Sequence, residues 1–71
     1  MYDKTRIALL AFIDVYRRHT GKRLTADALI GNPHELRHAL EDAIGRGIPD
    51  LYRVTEGLVL ALRKQPLLQA A

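Results

Sequence analysis

The chain has 71 residues, a formal net charge of +3 and no cysteine. That length allows one domain at most, so residues 1–71 are read as a single unit with no linker, repeat or low-complexity tract. Disulfides and cysteine-bound zinc are excluded, and a domain this small buries only about 60% of the surface its unfolded chain exposes.

A hydrophobic fraction of 48% beside 27% charged residues is that of a globular protein rather than a disordered one. The longest apolar run, Ile7 to Ile13, has seven residues, whereas a membrane span needs about 20. Asp3 precedes Lys4 and no small-residue cleavage pattern follows, so no export signal is expected either. The expectation is a cytoplasmic protein without membrane contact.

The first predicted element is a helix over about residues 3–19. At helical periodicity Tyr2, Leu9, Phe12, Ile13 and Tyr16 share one face, while Asp3, Arg6, Asp14 and Arg17 share the other. Ile7, Leu10 and Ala11 break this division, because they sit on or beside the polar face. Gly21 supplies the stop, since glycine enters the left-handed conformation at little cost.

A short helix over about 26–30 follows, capped by Thr25, with Asp27 in its first turn and Gly31 at its end. The third element, 33–45, carries the clearest start signal. Asn32 is a strong N-cap residue, Pro33 suits the first helical position, and Glu35 stands where a capping box needs it. Leu36, Ala39, Leu40, Ala43 and Ile44 then recur at helical spacing up to Gly45 and Gly47.

The last element, 49–64, opens with Pro49 and Asp50 and presents Leu51, Val54, Thr55, Leu58 and Leu62 on one face, with Pro66 beyond it. Strands at 51–54 and 58–62 around Thr55-Glu56-Gly57 are the competing assignment. Gly57 inside a helix costs up to about 1 kcal/mol against alanine. Leucine and alanine richness and the Pro-Asp start favour helix.

The expected fold is therefore all-α, a compact bundle of three main helices and one short one. Leu9, Phe12, Ile13, Tyr16, Leu51, Val54, Leu58 and Leu62 should make most of the core. Leu36, Leu40 and Ile44 of the third helix should lie against them.

Residues His34-Glu35-Leu36-Arg37-His38 fit H-E-x-x-H and so resemble the zinc-binding helix of zincin metalloproteases over five residues. The resemblance implies His34 and His38 as zinc ligands and Glu35 as general base, with Glu41 or Glu56 as third ligand. Three features weigh against it. Glu35 is accounted for by helix capping, both histidines point away from the expected core, and no residues remain to build a substrate cleft. The pair is read as an exposed one that binds metal at most adventitiously, with no functional metal and no cofactor.

Serine and cysteine are absent, and no glycine-rich phosphate loop or nucleophile elbow occurs. The chain is accordingly expected not to be an enzyme.

Two non-catalytic roles follow from the residues left over. Ile7, Leu10 and Ala11, with Leu60 pointing away from its own core face, are apolar groups without an internal task. They predict a protein-partner surface rimmed by Arg6, Asp14 and Arg17, in a self-associating interaction or regulatory adaptor module, with a homodimer as the simplest form. The Leu67-Leu68 tail is the internal element that could cover that surface instead.

The alternative is a small nucleic-acid-binding regulator. Arg17, Arg18, Lys22 and Arg23 lie around Gly21 as phosphate contacts would. Residues 25–40 with a wing from 51–62 faintly resemble winged-helix proteins. That pattern departs in its short first helix and in a recognition helix rich in Glu35, Glu41 and Asp42.

Overall fold

The computed structural model describes residues 3–64, and all of its regular structure is helical. Helix α1 spans Asp3–Thr20, α2 Ala26–Gly31, α3 Pro33–Gly45 and α4 Pro49–Arg63. Each boundary falls within one residue of the sequence expectation. The strand-turn-strand alternative is corrected: residues 51–62 lie inside α4, which runs unbroken through Gly57. Without a hairpin there is no wing, and the winged-helix pattern is corrected with it.

The helix ends follow local chemistry. The Thr25 hydroxyl accepts the Ala28 N–H at 3.2 Å, and Asn32 Oδ1 accepts the Glu35 N–H at 3.3 Å. Both satisfy amides that a first turn leaves without partners. Gly21 at φ +76 turns the chain out of α1 while its N–H still reaches the Arg17 carbonyl at 2.8 Å. Gly47 at φ +67 does the same after α3. These are conformations in which a Cβ would be strained.

Helices α1 and α4 share the largest helix–helix contact, and the Thr5 hydroxyl near the start of α1 reaches the Ala61 carbonyl near the end of α4 at 3.5 Å. Their directions are thus opposed. The core is Leu9, Phe12 and Tyr16 from α1, Leu29 from α2, Ala39 and Ala43 from α3, and Leu51 and Leu58 from α4. The Phe12 and Tyr16 rings stack with centroids 5.4 Å apart. Ile13, Val54 and Leu62 are half-buried at the edge of this core rather than inside it.

Leu36 and Leu40 of α3 pack against the core as expected, but the expectation for Ile44 needs correcting. Ile44 is 49% exposed, and Leu36 and Leu40 are half-buried flanks. The helix meets its neighbours through Ala39 and Ala43, whose small side chains let it approach closely, and at about 100° per residue Ile44 lies well around the shoulder from them. Thr5 is a buried polar residue that hydrophobic patterning leaves out, and Thr55 is buried on the face where its spacing puts it. Thr55 is satisfied by donating to the Leu51 carbonyl at 2.7 Å.

Tyr2 and the Leu67-Leu68 tail lie outside the described residues, as does Pro66. Among the described residues, no helix is long and apolar enough to cross a membrane.

Candidate functional site

The outer face of α1 is built by what its inner face excludes. Thr5, Leu9, Phe12 and Tyr16 turn inward, which carries Ile7 to the opposite side of the helix and Leu10 and Ala11 to its flanks. Ile7 is 67% exposed and Leu10 is 48% exposed, and Ala11 is exposed as well. Arg6 and Arg17 are exposed beside them, and Asp14 is partly so. Ile7, Leu10 and Ala11 therefore form one apolar strip along one helix.

Leu60, the fourth residue of the expected surface, belongs to a different neighbourhood. It is exposed on α4, where it lines one shallow cleft with Pro49, Tyr52, Arg53, Glu56 and Gly57. It lines a second with Ile44, Tyr52 and Val59, between the end of α3 and α4. Each strip faces away from the core that α1 and α4 share, so the structure does not bring Leu60 to Ile7. Tyr52 and Ile44 are apolar surface that the sequence reading missed. Tyr52 sits eight residues before Leu60, a two-turn spacing that marks a common helix face.

The basic segment is partly neutralised from within. Arg18 pairs with Asp14 at 2.9 Å, and Arg17 approaches the same carboxylate at 3.6 Å. Lys22 and Arg23 are exposed in the loop after α1. Lys22 lines a cleft with Tyr16, Leu24, Glu35, His38 and Asp42, so its surroundings carry two carboxylates.

At the base of that cleft the Tyr16 hydroxyl donates to Asp42 Oδ2 at 2.6 Å, and Arg46 Nε donates to the same oxygen at 2.9 Å. Burial pushes the Tyr16 phenol up to about 12, helped by its bond to the Asp42 carboxylate and by that carboxylate's charge, against the Arg46 charge. Asp42 moves the other way. Its carboxyl is held below the usual range by the bonds from Tyr16 and Arg46, with the Arg46 and Lys22 charges adding to them. The cluster ties α1 to α3. The Asp42–Arg46 pair was legible as an i, i+4 spacing, but its partner Tyr16, 26 residues away, was not.

The histidines of the H-E-x-x-H word lie on the exposed side of α3, as does Glu35. Glu41, which shares that side, is engaged by Arg37 at 3.0 Å. Among the described residues no group of three or more His, Asp or Glu side chains is arranged to hold a metal.

Comparison with protein-family models, with curated proteins and with solved structures gives no match, so the functional conclusion rests on the chain's own geometry.

Proposed function

We propose that this chain is a non-catalytic protein-interaction module that associates with copies of itself through the outer face of α1, with Ile7 and Leu10 at its centre. The observation that supports this is the placement of Ile7. It is more exposed than any other large hydrophobic side chain described, and it lies beside Leu10 on a helix whose inner face is already fully used. Burying an aliphatic side chain of this size is favourable by about 1.5–3 kcal/mol. A small domain with a limited core gains from an external contact of that kind.

The nucleic-acid alternative draws less support. Arg17 and Arg18 would have to leave Asp14, or carry it with them, to engage phosphates.

The test is sedimentation equilibrium of the wild type beside an Ile7→Asp, Leu10→Asp double variant. Wild-type mass should rise with concentration and the variant should remain a monomer. Equal masses for the two proteins would refute the assignment of the surface. Steeply salt-dependent binding of mixed-sequence duplex or single strands, with loss on replacing Arg17, Arg18, Lys22 and Arg23, would establish the alternative in its place.

A further inference from the structure

We draw no further inference here: the strongest candidate, the open cleft between the loop after α1 and α3 lined by Tyr16, Lys22, Leu24, Glu35, His38 and Asp42, carries nothing because the Tyr16 hydroxyl and the Asp42 carboxylate at its base are bonded to each other and to Arg46, and among the described residues no buried unpartnered side chain points to a ligand there.

Discussion

Gly57→Ala is expected to stabilise the monomer. In the helix interior alanine is favoured over glycine by about 0.8–1 kcal/mol, partly because glycine loses more backbone freedom on folding. Usually some of this is offset by a clash or by an unsuitable φ. Here the new methyl group meets nothing within 4 Å among the described residues and the backbone is not in the left-handed region, so the full helix-propensity gain should appear. For a domain of this size about 1 kcal/mol moves the unfolding midpoint by roughly 4–8 °C. The assay is thermal unfolding by circular dichroism on dilute protein, where association contributes nothing to apparent stability. A midpoint that stays put or falls would refute the reasoning, since Gly57 would then make a contact inside the monomer that the structure does not contain.

The remaining expectations test the helical framework. Leu29→Ala removes a fully buried side chain, and the typical cost of about 2–5 kcal/mol is comparable with the whole stability of a small domain. Loss of the cooperative thermal transition is expected, and retention of a wild-type midpoint would show that α2 is dispensable. Asn32→Ala should cost about 1 kcal/mol by leaving the Glu35 N–H without its acceptor, read as a lower urea midpoint at unchanged slope. Tyr16→Phe should reduce the dependence of stability on pH at both ends. The Asp42 carboxyl is depressed in the folded state, so its contribution is present above the unfolded value and lost as pH falls through the folded one. The Tyr16 hydroxyl is raised to about 12, so its contribution is complete below the ordinary phenol value and lost as pH climbs from about 10 to 12. Unfolding curves of wild type and variant that run parallel across pH would contradict the linkage. Equimolar zinc should leave the unfolding midpoint unchanged, because Glu41 is paired with Arg37 and no third ligand joins the histidines among the described residues; a clear rise would reopen the H-E-x-x-H word as a metal site.

The parts of this fold that were legible in the sequence are those set by neighbours along the chain. Thr25 and Asn32 mark helix starts through bonds that span three residues, Pro33 through its fixed φ, and Gly21 and Gly47 mark exits through a backbone angle. Such signals survive without knowledge of what lies across the core. The errors fall where a decision depends on a distant partner. Ile44 carries the right period for a core position, yet α3 docks through Ala39 and Ala43, and side-chain size rather than hydrophobicity decides how near the helix comes. Thr5 looks like a surface residue until Ala61, 56 residues along the chain, provides the carbonyl that it bonds.

The expected partner surface shows the same division. Ile7 and Leu10 stand out because they contradict the period of their own helix, which is local information. Grouping Leu60 with them needs the fold, and the fold assigns it elsewhere, to a cleft floored by the residue that argued most strongly against a helix at all. Gly57 was a cost that nothing in the pattern explained. Among the described residues nothing packs against it, so its cost to the helix is offset by what the opposite face of α4 buries, Leu51, Thr55 and Leu58.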